Sequence, residues 1–364
     1  MYTSLNKDSL YIKLAFRQAE INLGSTLTNP SVGCVVVKND SVISSGHTSS
    51  KGRPHAEFNA LKNNFNYKDS EIFITLEPCS HHGKTPPCVD SIIKKKVNRV
   101  VFSANDVDLR SKNLAKKKLK KNNIIVKKFI LNKFAKEFYK SYFLQSLNKV
   151  PFIDAKLAIS KDYLTINKKD RWITNEKSRK LANFIRSKYD CILSTSKTVN
   201  NDDPLLDCRI EGLKKKTPTL IIVDRFFKIK KNLKIFRNIN RKIYIVIKHD
   251  NKKKEIYFKK LGIHVLKLKK KTNYKNELVE LFLLLKANNL NRVLVETGVT
   301  FLNSIIKFNL IKNFYLFKSS SVLKLRGSNN ASPYYIKNIK LSKRNRIKVN
   351  LKSDNLYKVK LQHV

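Results

Sequence analysis

The chain has 364 residues, which exceeds the usual size of one domain and predicts two. It carries 76 lysines and arginines against 27 acidic residues, a formal net charge of +49. The N-terminus has no apolar leader, basic residues interrupt every apolar segment and the five cysteines do not pair evenly, so we expect a cytoplasmic protein with reduced thiols rather than a secreted or membrane protein.

Helix-like and strand-like segments alternate along the N-terminal part of the chain. Apolar residues at helical spacing predict helices over 8–24, 55–64, 84–96 and 111–121, and short apolar runs predict strands over 32–38, 71–76, 98–103 and 123–129. This alternation predicts a mixed or parallel α/β sheet covered by helices. A new apolar run begins at Val150, so we expect one domain over residues 1–148 and a second over 149–364.

One imidazole, two thiols and a carboxylate occur in the order of a zinc site. His55-Ala56-Glu57 begins the second predicted helix, and Cys79 and Cys88 follow the next predicted strand. Zinc in a hydrolytic site takes three protein ligands and keeps one position open. Each fragment alone is more often a solvated helical turn or plain packing. Together they predict one zinc ion per chain, with Glu57 as the proton-transfer group in hydrolysis of an amino group from a nitrogen heterocycle.

The spacing of the two cysteines narrows the class of deaminase. Cytidine and transfer-RNA adenosine deaminases usually keep two residues between these cysteines, whereas Cys79 and Cys88 enclose the eight residues 80–87. This insert, which reads SHHGKTPP, resembles the deaminase domain of the bifunctional riboflavin-biosynthesis deaminase/reductase family. The resemblance implies a cytidine-deaminase-like α/β/α zinc domain. The substrate contacts that it implies are Asn29, His81, Lys84 and Asp106.

A second pattern of the same family occupies the C-terminal part. Segments 156–162, 171–174, 193–205 and 293–298 are similar to the family's reductase domain. The resemblance implies a dihydrofolate-reductase-like α/β domain that uses NADPH to reduce the ribosyl chain of a phosphoribosylaminopyrimidine after its deamination. The cofactor contacts that it implies are Ala158, Trp172, Thr198, Asp202 and Gly298, and the phosphosugar contacts are Arg186, Leu205, Arg209 and Glu296.

Several positions depart from the family pattern. Tyr163, with its bulky ring, replaces a glycine that allows a tight turn. Asp108 replaces an asparagine and adds a negative charge near a substrate phosphate, which should weaken binding unless a lysine offsets it. Lys312-Asn313 replaces an acidic pair. These departures leave open the alternative of an active deaminase joined to a degenerate reductase domain.

Lysine runs are spread over both halves of the chain rather than gathered in one patch. A nucleic-acid footprint is a patch or a stripe, so we attribute the charge to an A/T-biased genome and expect neither a specific nucleic-acid partner nor a membrane. The remaining alternative is a basic nucleic-acid base deaminase. The eight-residue gap between the cysteines argues against it. A homo-oligomer stays open.

Overall fold

The computed structural model describes residues 6–146, 150–170, 172–213, 216–237, 239–269, 273–333, 335–339 and 341–361. Backbone contacts divide the chain into two compact units, residues 1–149 and 150–364. The domain boundary expected between residues 148 and 149 falls outside the described residues. Within the part of the chain that the structure describes, no helix has the length and apolar character needed to cross a bilayer.

The first unit contains a five-stranded mixed sheet. Its strands are β1 (Gly33–Lys38), β2 (Ser41–His47), β3 (Glu71–Ile74), β4 (Arg99–Phe102) and β5 (Ile125–Lys128). Its helices are α1 (Lys7–Ile21), α2 (Ala56–Leu61), α3 (Cys88–Lys94), α4 (Leu114–Lys121), α5 (Asn132–Phe138) and α6 (Lys140–Ser146). The strand order is β2-β1-β3-β4-β5, in which β3, β4 and β5 are parallel and β1 is antiparallel to both neighbours. The mixed sheet expected from the alternation is thus confirmed.

Helix α1 is attached to this sheet by a close backbone approach and by a buried ion pair. A Cβ atom on Gly33 would lie 1.8 Å from the carbonyl oxygen of Ala15, so only glycine allows this approach. Asp8 accepts hydrogen bonds from Arg99 on β4 at 2.9 and 2.8 Å and from Lys127 on β5 at 2.6 Å. Burial alone would raise the pKa of Asp8, but these two cations lower it.

The second unit contains a larger, mostly parallel sheet. The strands of this unit, of which β7 and β14 form a separate two-stranded sheet, are β6 (Phe152–Ile159), β7 (Leu164–Asn167), β8 (Cys191–Thr195), β9 (Thr219–Val223), β10 (Ile243–Ile247), β11 (His264–Lys267), β12 (Arg292–Val295), β13 (Asn313–Lys318), β14 (Gly327–Asn330) and β15 (Asn355–Lys360). Its helices are α7 (Glu176–Arg186), α8 (Ser196–Asp202), α9 (Lys252–Lys260), α10 (Tyr274–Ala287), α11 (Val299–Lys307) and α12 (Tyr335–Asn338). The order is β11-β10-β9-β8-β12-β6-β13-β15, and β14 pairs with β7.

Both faces of this sheet are covered, which explains its almost continuous apolar strands. On β9, Ile221 and Val223 belong to one buried cluster, whereas Leu220 and Ile222 belong to another. Neighbouring strands run parallel except for β15, which pairs antiparallel with β13 at the edge.

Asn313, one of the two residues that replace the family's acidic pair, is hydrogen-bonded to a residue on the neighbouring strand. The backbone and side-chain N–H groups of Asn313 donate to Asp154 Oδ1 at 3.0 and 2.8 Å, and Tyr189 donates its hydroxyl to the same carboxylate. Asp154 and Asn313 are both buried. A carboxylate on β6 therefore pairs with an amide on β13, and the sheet keeps a satisfied polar pair at this position.

The turn between β6 and β7 forms without its expected glycine. Tyr163 adopts the left-handed conformation with φ of 66°, and the ammonium of Lys318 lies 4.5 Å from its ring centroid. Asp162 accepts hydrogen bonds from the Ser160 hydroxyl and from the backbone N–H groups of residues 323 and 324. Although burial acts to raise it, these bonds lower the pKa of Asp162 to about 2. A left-handed φ strains a residue with a side chain, and the surrounding bonds hold the turn in this conformation.

Replacing Tyr163 with glycine should remove that strain. We expect Tyr163→Gly to be more stable than Tyr163→Ala by about 1 kcal/mol, because both variants lose the ring and only alanine keeps a Cβ in the left-handed region. Trp172, the only tryptophan in the chain, lies in the second unit, so its fluorescence during urea unfolding reports on that unit. Equal unfolding midpoints for the two variants would contradict strain at this turn.

Candidate active sites

Three potential metal ligands meet in the first unit. The Nδ1 atom of His55 lies 3.6 Å from the Sγ atom of Cys79 and 3.5 Å from that of Cys88. The ligand atoms of these three residues all lie within 4.8 Å of one another. A tetrahedral zinc site with Zn–N and Zn–S bonds of about 2.0–2.1 and 2.3 Å places nitrogen and sulfur about 3.5 Å apart. The donor types and their separations therefore fit zinc.

Two of the three ligands lie at the start of a helix, each at a different one. His55 precedes the first residue of α2, and Cys88 is the first residue of α3. Helix α2 lies against β2 at Gly46, where a Cβ would come within 2.4 Å of the carbonyl oxygen of Ala56. Cys79 lies in the loop after β3, and its Sγ accepts the backbone N–H of Cys88 at 3.3 Å. The fold thus holds the three metal-binding atoms in place.

The surroundings of Cys79 and Glu57 shift the pKa values of both groups. A hydrogen bond with Cys88, together with His55, lowers the pKa of Cys79 to about 4 against the effect of burial. The thiolate form, which is the one that binds metals, is therefore favoured at this sulfur. Glu57 is 3% exposed, and burial followed by the charge of Cys79 raises its pKa to about 7. Such a carboxyl group can both take up and release a proton near neutral pH.

The loop of residues 80–87 carries two of the expected substrate contacts. His81 Nδ1 lies 2.8 Å from the hydroxyl oxygen of Ser111, and Lys84 is exposed. Arg53, just before the metal histidine, donates to the Thr85 hydroxyl at 2.7 Å. Arg53 was not among the substrate contacts expected from the sequence. Its contact ties the loop to the start of α2.

Asp106 lies in a buried network after β4. Its Oδ1 accepts the Tyr142 hydroxyl at 2.8 Å and the backbone N–H of Asp108 at 3.1 Å. Its own N–H donates to Glu77 Oε2 at 3.2 Å. This network fixes the loop that follows β4 beside the loop that carries Cys79. The role of Asp106 in substrate binding stays a prediction.

The charge that Asp108 adds is offset within its own loop. Arg110 donates to both oxygens of Asp108, with Nη2 at 2.6 Å and Nε at 3.0 Å. The hydrogen bond from Arg110 is the largest of the effects that lower the pKa of Asp108. The compensation expected from a lysine is thus supplied by an arginine two residues away.

Asn29 supports the loop before the metal histidine. Its Nδ2 donates to the carbonyl oxygen of Gly52 at 2.8 Å. Gly52 has a φ of +88°, and a Cβ there would lie 2.6 Å from the same Nδ2 atom. The amide nitrogen of Asn29 therefore holds the backbone that leads to His55. Contact with substrate through this residue stays a prediction.

A buried ion cluster joins two of the expected phosphosugar contacts in the second unit. Arg186 at the end of α7 donates through Nε and Nη2 to Glu296 at 2.7 and 2.9 Å. Lys156 on β6 lies 2.8 Å from Glu296 Oε2, the oxygen that also accepts the hydrogen bond from Arg186 Nη2. Although burial raises it, the two cations lower the pKa of Glu296 to about 2. Lys156 was missed in the sequence because one lysine among so many carried no weight.

Leu205 and Arg209 lie in the segment after α8. Arg209 is half-exposed and pairs with Asp207 at 3.1 Å, and Leu205 is partly exposed. Arg241 donates to the carbonyl oxygens of Leu205 and of residue 206, which holds this segment in place. The segment also meets the ion cluster, since Arg186 Nη1 donates to the carbonyl oxygen of Asp207 at 3.1 Å. Hydrogen bonds of Arg186 thus join Glu296 to the chain segment that carries Leu205 and Arg209.

Two of the expected cofactor contacts touch each other. The Oγ1 atom of Thr198 in α8 accepts the backbone N–H of Gly298 at 3.1 Å, and Gly298 precedes α11. Ala158 lies on β6, two residues after Lys156 and on the same face. Asp202, the last residue of α8, is exposed. Trp172 is half-exposed in the loop after β7, with Arg179 stacked 4.7 Å from its ring centroid.

Two family models match the chain, one in each unit. The cytidine and deoxycytidylate deaminase zinc-binding region matches residues 5–104. The RibD C-terminal domain matches residues 151–348. The first range contains the three metal ligands and Glu57, and the second contains every expected reductase contact.

Similar proteins span nearly the whole chain. The riboflavin biosynthesis protein RibD of Buchnera aphidicola is 33% identical over 333 residues, which covers 87% of this chain and 88% of the relative. That of Aquifex aeolicus is 32% identical over 319 residues, with 87% and 88% covered.

Solved structures agree with these sequence relatives. The diaminohydroxyphosphoribosylaminopyrimidine deaminase/5-amino-6-(5-phosphoribosylamino)uracil reductase of Thermotoga maritima has a TM-score of 0.79 at 25% identity, covering 97% of this chain and 98% of that one. RibD of Acinetobacter baumannii has a TM-score of 0.79 at 24% identity and covers 97% and 98% of the two chains. These likenesses confirm the expected fold class.

Proposed function

The chain belongs to the RibD family of riboflavin biosynthesis proteins, which have deaminase and reductase activities, and we propose that its two units act in succession on one phosphoribosylaminopyrimidine. The first unit hydrolyses the 2-amino group of 2,5-diamino-6-(5-phosphoribosylamino)pyrimidin-4(3H)-one. The second reduces the ribosyl chain of the product with NADPH to give 5-amino-6-(5-phosphoribitylamino)uracil. The observation that carries the proposal is the meeting of one imidazole, two thiols and a buried carboxylate.

In the first unit, His55, Cys79 and Cys88 would hold zinc. Zinc, when bound, lowers the pKa of a water molecule at its open position to about 7. The Glu57 carboxylate would accept a proton from the attacking water and pass it to the departing amino group, which leaves as ammonia. Burial of Glu57 supports this role, since a group shielded from bulk water delivers its proton to the substrate.

The loop of residues 80–87 would bind the phosphoribosyl group. Lys84 and Arg53 bring two cations to this loop, and His81 lies on its inner side against Ser111. Ammonium and guanidinium groups are the usual partners of phosphate. The Asp106 network would hold the adjoining loop against the pyrimidine ring.

In the second unit, the reaction needs a hydride and a proton. NADPH, when bound, would supply a hydride. The ribosyl carbon attached to nitrogen would receive it, and the bond between this carbon and the ring oxygen would break. That oxygen then takes up one proton. Lys156 is the candidate donor, because its ammonium is mostly buried, lies against Glu296 and shares a face of β6 with Ala158. Arg186 would keep Glu296 ionised and oriented.

The departures from the family pattern do not favour a degenerate second unit. Tyr163 completes its turn in the conformation that the family glycine permits, and Asn313 has a buried carboxylate partner in Asp154. Glu296 pairs with both Lys156 and Arg186. We therefore propose an active reductase. A cytoplasmic location, the absence of a specific nucleic-acid partner and the oligomeric state stay predictions from the sequence.

Substitution of Glu57 can separate proton transfer from metal binding. Glu57→Gln should keep about one zinc per chain and lower kcat for ammonia release by about 10²–10⁴-fold, because the carboxylate moves protons and is not a ligand. Cys88→Ala, which removes a ligand, should lose both metal and activity. Metal analysis and an ammonia assay measure the two effects. Near-normal turnover of Glu57→Gln would rule out this role.

The role of Lys156 can be tested by two substitutions. Lys156→Met should lower kcat for NADPH oxidation with the deaminated substrate by about 10²–10⁴-fold, with NADPH affinity and ammonia release unchanged. Lys156→Arg keeps the charge beside Glu296 but loses a readily released proton, so it should not restore turnover. Recovery of activity by arginine would show that Lys156 only orients Glu296.

A further inference from the structure

One buried hydroxyl connects two loops of the first unit. Ser111 lies between β4 and α4 and is fully buried. Its Oγ atom lies 2.8 Å from His81 Nδ1 and accepts the backbone N–H of Ser80 at 3.4 Å. Through a single side chain, the loop after β4 therefore contacts the two residues that follow the metal ligand Cys79.

Backbone hydrogen bonds on both sides of Ser111 fix the place of this hydroxyl. The N–H of Ser111 donates to the carbonyl oxygen of Asp108 at 2.9 Å, and its carbonyl oxygen accepts the N–H of Leu114 at 3.0 Å. Asp108 Oδ1 accepts the N–H of Arg110 at 3.0 Å, which closes the same turn. The position of the hydroxyl is thus set by its own loop and does not depend on His81.

The donors around Ser111 decide the direction of its hydrogen bond to His81. A hydroxyl has one hydrogen to donate, and burying that hydrogen without an acceptor is unfavourable. Within the described part of the chain, His81 Nδ1 is the acceptor within reach of Ser111 Oγ, because the contact with Ser80 is to a donor, its backbone N–H. The hydroxyl therefore donates to Nδ1, and the neutral ring of His81 carries its hydrogen on Nε2.

The Nε2 atom of His81 faces the glycine of the loop of residues 80–87. A Cβ atom on Gly83 would lie 3.8 Å from this Nε2 and 3.7 Å from Nη2 of Arg53, whose Nη1 donates to Thr85. Because glycine has no side chain, the space beside Gly83 is bordered by two donors, one from the imidazole and one from the guanidinium. Such a space suits a group rich in acceptors, such as a sugar phosphate.

We propose that Ser111 is a positioning residue of the deaminase, whose hydroxyl orients the ring of His81 so that Nε2–H points at the phosphoribosyl group of the substrate. The inference rests on the proposed deaminase function, because that function brings the phosphoribosyl group to the loop of residues 80–87. Ser111 is fully buried and does not itself touch the substrate. Its effect on binding therefore passes through His81.

This role has a kinetic signature that differs from support of the metal. Deamination does not change the phosphoribosyl group, so a contact with that group contributes equally before and during the chemical step. Uniform binding of this kind lowers KM and leaves kcat unchanged. Support of the metal would instead show in zinc content and in kcat.

The test is ammonia release by full-length Ser111→Ala, measured over a range of concentrations of the diamino substrate. Alanine removes only the hydroxyl oxygen. KM should rise about 3–10-fold, the loss expected for one hydrogen bond between uncharged groups, while kcat stays within about twofold and the chain keeps about one zinc. Ribose 5-phosphate, used as a competitive inhibitor, should lose affinity by the same factor.

A double variant shows whether Ser111 acts through His81. His81→Ala should raise KM about 10–100-fold, as expected for a lost hydrogen bond to a charged group, and adding Ser111→Ala should cause no further rise. Ser111→Thr keeps the hydroxyl and should have nearly the wild-type KM. Threonine adds a methyl group at a fully buried position, so if that variant fails to fold, the double variant decides.

Ser70 provides a matched control. It is as fully buried as Ser111, and its hydroxyl donates to the carbonyl oxygen of Tyr67 at 2.6 Å. It precedes β3, whereas Cys79 follows that strand, so the two lie at opposite ends of it. Ser70→Ala should leave KM unchanged.

The outcomes separate the two proposals. An unchanged KM for Ser111→Ala, or a further rise in KM when it is added to His81→Ala, would overturn the role of Ser111 while leaving the deaminase intact. Loss of zinc or of kcat in Ser111→Ala would also overturn it, since Ser111 would then support the metal loop. If wild type released no ammonia, the deaminase function and the role of Ser111 would both be wrong.

Discussion

The chemistry of both units depends on parallel strands that bring their carboxyl ends to one edge of a sheet. In the first unit, the loops after β3 and β4 meet there. Glu77, which lies two residues before the metal ligand Cys79, accepts the backbone N–H of Asp106 at 3.2 Å. In the second unit, Glu296 follows β12 and meets Lys156 of the neighbouring strand β6, because Val295 is in register with Ala155. Residues far apart in the chain are adjacent wherever parallel strands end together.

A second constraint follows from the scarcity of acidic residues in this chain. Three buried carboxylates, Asp8, Glu277 and Glu296, each pair with two cations. A buried charge is costly unless it is paired, and a carboxylate with two cationic partners leaves a local positive excess. At Glu296 this excess lies where a phosphosugar is proposed to bind.

The structure brings together the three metal ligands expected from the sequence, because the signal for this site is local. His55, Glu57, Cys79 and Cys88 occur in an order and at spacings typical of a zinc deaminase, and the helices and strands around them follow clear apolar periodicity. Strand β2 was missed because its serine-rich stretch 41–47 shows little apolar alternation. Lys156 and Arg241 were missed for another reason: their partners are far along the chain, and single basic residues carry no signal amid so many. The turn at Tyr163 shows that a lost glycine need not mean a lost turn when neighbouring hydrogen bonds offset a strain of about 1 kcal/mol.

The most direct test of the two-step account is product analysis of the full chain with the diamino substrate, with and without NADPH. Without NADPH, the account predicts one ammonia per substrate and accumulation of the deaminated ribosylamino product. With NADPH, it predicts one ammonia and one oxidised cofactor per molecule of ribitylamino product. Ammonia release that never leads to NADPH oxidation would contradict the second step, and NADPH oxidation without ammonia release would contradict the order of the two steps.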